Sequence, residues 1–163
     1  RPGHHSKAQK LRPAALFTTR LRRTSDTARL AWLALNCTSP STPLPFLDEI
    51  DYGPDENQPE PEVINRLGAE TLHRWDDFGE MPEAWSPRPA AIISAWNDFL
   101  KRCETEFTDQ TIMVVTSNGI ARFALNCLKL PENSPPKLKL STGAYGLARY
   151  DGEWTLKDWN IKP

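Results

Sequence analysis

Neither sign of charge dominates this sequence: 20 basic residues stand against 21 acidic ones, for a formal net charge of −1. A chain so balanced has no global field to draw in nucleic acid or an anionic membrane surface, so neither is expected as a partner. No apolar run approaches the roughly 20 residues that a bilayer-spanning helix needs, and no signal-peptide pattern is visible. Cysteine is scarce and odd in number. Cys37, Cys103 and Cys127 have no CxxC or metal-ligand spacing, and each lies among apolar helical residues. They read as reduced, buried thiols, which points to a reducing compartment and a cytoplasmic location. The histidines and carboxylates show no ligand spacing either, so no metal and no other cofactor is expected. No internal repeat of about 20–50 residues appears. Nothing splits the chain, which is read as one domain over residues 1–163, with no oligomeric state implied.

What is present is ordinary for a globular domain: 39% hydrophobic and 25% charged residues, in a chain long enough for a real core. The first residue is Arg1 rather than methionine, and the chain is expected to be the ordered or processed part of a longer polypeptide.

The most informative stretch is Thr111 to Ala124. Ile112–Val115 is a short aliphatic run of the kind a strand buried on both faces shows. Thr116-Ser117-Asn118-Gly119 is turn chemistry, and apolar spacing resumes at helical intervals from Ile120 to about Leu128. Strand, tight turn and helix in succession make one wall of a ligand crevice in an open α/β sheet.

A second unit of this kind precedes it. Ala14–Thr19 reads as a strand, and a helix is expected from about Ser25 to Leu35, capped by Ser25 or Thr24. Ala28, Ala31, Trp32 and Leu35 form its sheet-facing stripe. The intervening turn carries Arg20, Arg22 and Arg23, and guanidinium groups gathered at a helix N-terminus make an anion site.

Elsewhere, Thr38–Pro45 reads as a connector. Leu47 and Ile50 anchor a carboxylate cluster, and Asp55–Pro61 reads as a polar loop. A helix is expected from Pro61 to about His73, followed by an irregular aromatic loop from Trp75 to Pro87 that packs on the body or covers a pocket. Arg88–Cys103 is an amphipathic helix with Ile92, Trp96, Phe99, Leu100 and Cys103 inward. Leu138–Ser141 and Ala144–Tyr150 alternate like strands, and Asp151-Gly152 turns the latter into a hairpin with Trp154–Trp159.

Together these segments resemble the histidine phosphatase superfamily, the phosphoglycerate-mutase-like group. Phe17-Thr-Thr-Arg-Leu-Arg-Arg-Thr-Ser-Asp-Thr-Ala28 is similar to that family's tyrosine-threonine-serine-proline-leucine-x-arginine motif and the threonine-alanine that follows it, with Arg23 on the phosphate-binding arginine. Leu47-Asp-Glu-Ile-Asp-Tyr-Gly53 resembles its leucine-x-glutamate-x-x-x-glycine segment. Glu49 then falls on the acidic catalytic residue, a candidate general acid, and Glu56 on the second glutamate. Thr116–Arg122 resembles serine-histidine-glycine-glycine-x-x-arginine. In either of two registers Ser117 or Asn118 stands where the family has histidine, and no imidazole is supplied. Arg1-Pro2-Gly3 resembles the arginine-histidine-glycine motif with proline at the nucleophile, although the strand that should precede it is missing or altered and Arg1 lies closer to Arg23 than the family's spacing has it.

The resemblance implies a three-layer α/β/α sandwich around a mostly parallel sheet, ending in a C-terminal β-hairpin. It implies a phosphate pocket formed by Arg1, Arg23, Ser117 and Asn118, for a small phosphorylated molecule or inorganic phosphate. In the family, a histidine attacks the phosphoryl group and a carboxylic acid protonates the leaving group. Here Pro2 cannot be a nucleophile, which leaves the nucleophile unknown. Three readings follow: a degenerate member with impaired or absent phosphatase activity; an active phosphomonoesterase or mutase-like enzyme whose nucleophile lies in an N-terminal segment not represented, with His4 and His5 the nearest imidazoles; or a protein-interaction module using Trp75–Trp85.

Overall fold

The computed structural model describes residues 12–163; Arg1, Pro2, Gly3, His4 and His5 lie outside them. In chain order the elements are β1 (Ala15–Thr18), α1 (Arg22–Ala34), β2 (Thr42–Pro43), α2 (Glu60–Leu67), α3 (Ala69–Phe78), α4 (Pro89–Glu106), β3 (Ile112–Val115), α5 (Asn118–Ala121), β4 (Tyr145–Tyr150) and β5 (Trp154–Ile161). They form two compact units. The first ends its two chain stretches at Glu49 and at Ser117, having resumed at Leu100; the second comprises Ile50–Phe99 and Asn118–Pro163.

The first unit is built on a parallel sheet in the order β2-β1-β3. β1 is central. Thr18 pairs with Pro43 on one side and with Val115 on the other, so the carboxyl ends of all three strands finish level. Successive side chains of a strand point to opposite faces, and here both are covered: Leu16 packs with Ala28 and Trp32 of α1, while Phe17 meets Phe107 edge-on at 5.8 Å beyond the end of α4. Two-faced burial therefore belongs to β1. For Ile112–Val115 the expectation was wrong: all four residues are only half-buried, because among the described residues β3 is paired on its β1 side alone. β2 falls inside the expected connector. A proline is tolerated there because the strand is short and lies at the sheet edge.

α1 begins at Arg22, three residues earlier than the capping signal suggested, with Leu21 as its N-cap. The Leu21 N–H donates to the Thr19 hydroxyl at 3.2 Å, which turns the chain early enough for the helix to start at once. The Ser25 hydroxyl, expected as a cap, instead donates to the Arg22 carbonyl at 2.9 Å inside the first turn.

In the second unit, the helix expected over Pro61–His73 is two helices. Gly68 breaks it at φ +87°, a conformation that favours glycine. α3 then continues to Phe78, so Trp75 is helical rather than in the loop. The remaining loop packs inward: Met81 and Trp85 are buried, and Trp85 lies edge-on to Tyr52 at 4.8 Å and to Trp75 at 5.4 Å. Asp55, expected in an exposed loop, is buried. Its carboxylate accepts from Trp85 Nε1 at 2.8 Å and from Arg66 Nε at 2.6 Å. Leu138–Ser141 makes no strand; the Leu140 N–H donates to Asn118 Oδ1 and the Ser141 N–H to Asn160 Oδ1, so side chains replace a ladder. The expected helix after Asn118 is one turn of α5 that tightens into a 3-10 segment, Arg122–Cys127. β4 and β5 form the antiparallel hairpin, turned at Gly152. The cysteines are free, and burial pushes the Cys103 thiol up to about 11.

Candidate functional site

The carboxyl edge of the first unit's sheet gathers several of the residues singled out from sequence. β1 lies between β2 and β3, so the chain's connections leave it in both directions, and the β1/β3 boundary is the topological switch point where open α/β sheets bind ligands. β1 delivers Thr18 and Thr19, both buried, and then the exposed Arg20, Arg22 and Arg23. β3 delivers Thr116 and Ser117.

Between these exits runs the 3-10 turn Pro45–Leu47 and the acidic residues after it. It is tied to both strands. The Leu44 N–H donates to the Thr18 carbonyl at 2.9 Å, and the Thr116 hydroxyl donates to the Leu47 carbonyl at 2.6 Å. Asp48 closes on the β1 exit, where its carboxylate accepts from the Arg20 backbone N–H and from Arg20 Nε, each at 2.7 Å. Glu49 follows directly and is exposed.

The turn's arginines are therefore not equivalent. Arg20 is paired with Asp48, whereas among the described residues Arg22 and Arg23 have no carboxylate within ion-pair distance. Both sit in the first turn of α1, which has no side-chain cap and no acidic residue. Cations at the positive end of a helix dipole are unfavourable by a few tenths of a kcal/mol or more. An anion bound there would relieve that repulsion and take the open N–H groups.

Arg23, Glu49 and Ser117 thus follow the paired ends of one sheet. Asn118 opens the second unit, and its amide oxygen is engaged by the Leu140 N–H at 2.8 Å. Arg1 lies outside the described residues. Glu56 accepts the Tyr52 N–H at 3.1 Å, a local bond in the second unit. Arg122, aligned with the last arginine of the family motif, is 2% exposed; its Nη1 donates to the Trp75 carbonyl at 2.9 Å and its guanidinium stacks on the Trp75 ring. Asp48 was not singled out from sequence, and Thr116 was placed on the motif's serine without a role of its own. The only signals were the carboxylate cluster and the hydroxyl-rich turn, neither of which says what it holds. A cavity of about 340 Å³ beside Asp55, Gln58, Glu62 and Arg66 is a poorer candidate, because its buried carboxylate and its cation bind each other. Among the described residues no group of histidine, cysteine, aspartate or glutamate side chains could hold a metal ion. No described helix is long and apolar enough to cross a membrane.

A parallel sheet with an arginine-bearing turn at the carboxyl end of its central strand marks an α/β class of domain. The sequence matches the histidine phosphatase superfamily (branch 1) over residues 5–162, and the chain belongs to that superfamily. No curated protein matches it in sequence. Among solved structures, it is similar to a mycobacterial glucosyl-3-phosphoglycerate phosphatase in complex with inorganic phosphate, at 15% identity and TM-score 0.70, covering 95% of this chain and 82% of that one. It is also similar to mycobacterial hydrolase 1, at 15% identity and TM-score 0.74, over 97% of this chain and 80% of that one. A third is the alpha-ribazole phosphatase from Shigella flexneri, at 18% identity and TM-score 0.62, over 96% and 81%. At such identities the likeness is one of fold.

Proposed function

We propose that this chain is a phosphate-binding histidine-phosphatase-like domain whose phosphatase activity is impaired or absent, with a small phosphorylated molecule or inorganic phosphate as its ligand. The observation that carries this reading is the β3 exit. Where the family has a histidine, this chain has Ser117 or Asn118, and the adjoining Thr116 hydroxyl is engaged by the Leu47 carbonyl. A serine or an amide donates hydrogen bonds to a phosphate oxygen but supplies no imidazolium charge. Losing one donor aimed at developing charge costs about 10²–10³ in rate. What remains suits binding. Arg23 supplies a guanidinium at an open helix N-terminus, Ser117 a hydroxyl, and Glu49 a carboxyl group in the acidic segment after Leu47. The similar mycobacterial phosphatase has been crystallised with inorganic phosphate and with VO3, in keeping with an anion pocket on this fold.

The test is calorimetric titration with inorganic phosphate and orthovanadate, alongside hydrolysis of p-nitrophenyl phosphate. Binding is expected, weakened at least about tenfold by Arg23→Ala, as for the loss of a charge-assisted contact, with hydrolysis at background. Turnover that disappears on Arg23→Ala would instead make the protein an active phosphomonoesterase. No binding of either anion would remove the pocket.

A further inference from the structure

We infer that Asp48 sets the charge preference of this site: by neutralising Arg20 it fits the crevice to a single phosphate monoester rather than to a pyrophosphate or polyphosphate. The inference rests on the phosphate reading above and adds the residue that sets the site's charge preference.

The turn after β1 carries three guanidinium groups within four residues, Arg20, Arg22 and Arg23. Left alone, that density at the positive end of a helix would suit a polyanion. Asp48 removes one of the three. Its two oxygens take the Arg20 N–H and the Arg20 Nε, each at 2.7 Å, which is the arrangement a bound anion would adopt at that position. The pairing is partly shielded, for the Asp48 side chain is only 19% exposed although that of Arg20 is 62% exposed. The Asp48 backbone is also held in place: Leu47 before it is fully buried and accepts the Thr116 hydroxyl, and the Asp48 N–H donates to the Pro45 carbonyl at 3.2 Å. The carboxylate is thus an internal anion fixed at the Arg20 end of the turn. It leaves Arg22 and Arg23 for the ligand and presents negative charge to any second phosphoryl group reaching toward Arg20. Proline stands at the Arg20 position in the motif this segment resembles, so the Arg20 half of the device is a departure from that motif.

Asp48→Asn is close to isosteric and keeps an oxygen for the Arg20 N–H, while the charge is removed. Calorimetric titration of the intact chain with inorganic phosphate and with pyrophosphate, at fixed low salt, reads the outcome. Asp48→Asn should tighten pyrophosphate by about fivefold more than phosphate, since removing one negative charge favours the ligand of higher charge and exposure limits the gain. Asp48→Asn combined with Arg20→Gln should return the pyrophosphate-to-phosphate ratio to near its original value. Melting temperatures identify any variant that is merely unfolded, and Asp48→Glu should restore discrimination where a lost fold could not. An unchanged ratio in Asp48→Asn, with phosphate still bound through Arg23, overturns this inference alone. Absence of phosphate binding in the unmodified chain overturns it together with the phosphate reading.

Discussion

Two sets of arginines in this protein have opposite fates. In the second unit, Arg122 is buried under the Trp75 ring at 4.0 Å with its Nη1 on a carbonyl, and Arg66 is bound by the buried Asp55, which also holds Trp85. In the first unit, Arg22 and Arg23 stand exposed at an uncapped helix end where acids would be favoured. The first set has been given partners at the cost of desolvation, so it serves the fold. The second set is arranged against local electrostatics, and the proposed anion site rests on that arrangement. Locally unfavourable choices of this kind concentrate at functional sites.

Substitutions can break or sharpen that contrast. The largest effect is expected from Arg122→Ala, which empties the space against Trp75 and strips its carbonyl of a charged donor; stability should fall by about 3–5 kcal/mol, read as a lower urea midpoint. Asp55→Ala leaves Trp85 Nε1 and the Arg66 guanidinium without their acceptor, and a loss of about 2–3 kcal/mol is expected. The same group gives the pair a pH signature. The hydrogen bond from Arg66 holds the Asp55 carboxyl below the usual carboxylate range. Its contribution is therefore complete above its unfolded value of about 3.9, and is lost as pH falls through the depressed folded value. Acid unfolding of Asp55→Asn should show a shallower dependence in that window, and an unaltered acid limb would mean that the pair contributes nothing.

Gly146→Ala comes next. A Cβ there would lie 2.4 Å from the Trp159 ring, so the hairpin must shift, and about 1–2 kcal/mol is expected from thermal melts. Arg23→Ala should be the smallest in stability and opposite in sign, a gain of up to about 0.5 kcal/mol from relieving the helix dipole, while phosphate affinity falls. A stability loss at Arg23 as large as that at Arg122 would erase the distinction between the two sets.

Much of this could be read from the chain. The strands Ala15–Thr18 and Ile112–Val115, the amphipathic helix carrying Trp96 and Phe99, and the hairpin at Asp151-Gly152 are local patterns, and local periodicity survives into the structure. The motif segments pointed to the family, which the match over residues 5–162 established. Errors arose where a distant partner decides. Asp55 looked like loop chemistry because Arg66 and Trp85, 11 and 30 residues away, are invisible to a local window. One miss was local: Thr24 and Ser25 looked like caps, but the Thr19 hydroxyl, two residues before Leu21, had already turned the chain. Leu138–Ser141 alternates like a strand, yet Asn118 and Asn160 take the N–H groups of Leu140 and Ser141.

The sequence by itself determined where the chain turns, which faces are apolar, and the crowd of arginines after β1. Those properties follow from residue type and spacing alone. Tertiary structure decided which arginines carry a carboxylate partner. Whether a guanidinium is neutralised depends on a carboxylate brought up by another part of the chain, as Asp48 is brought to Arg20 from 28 residues away.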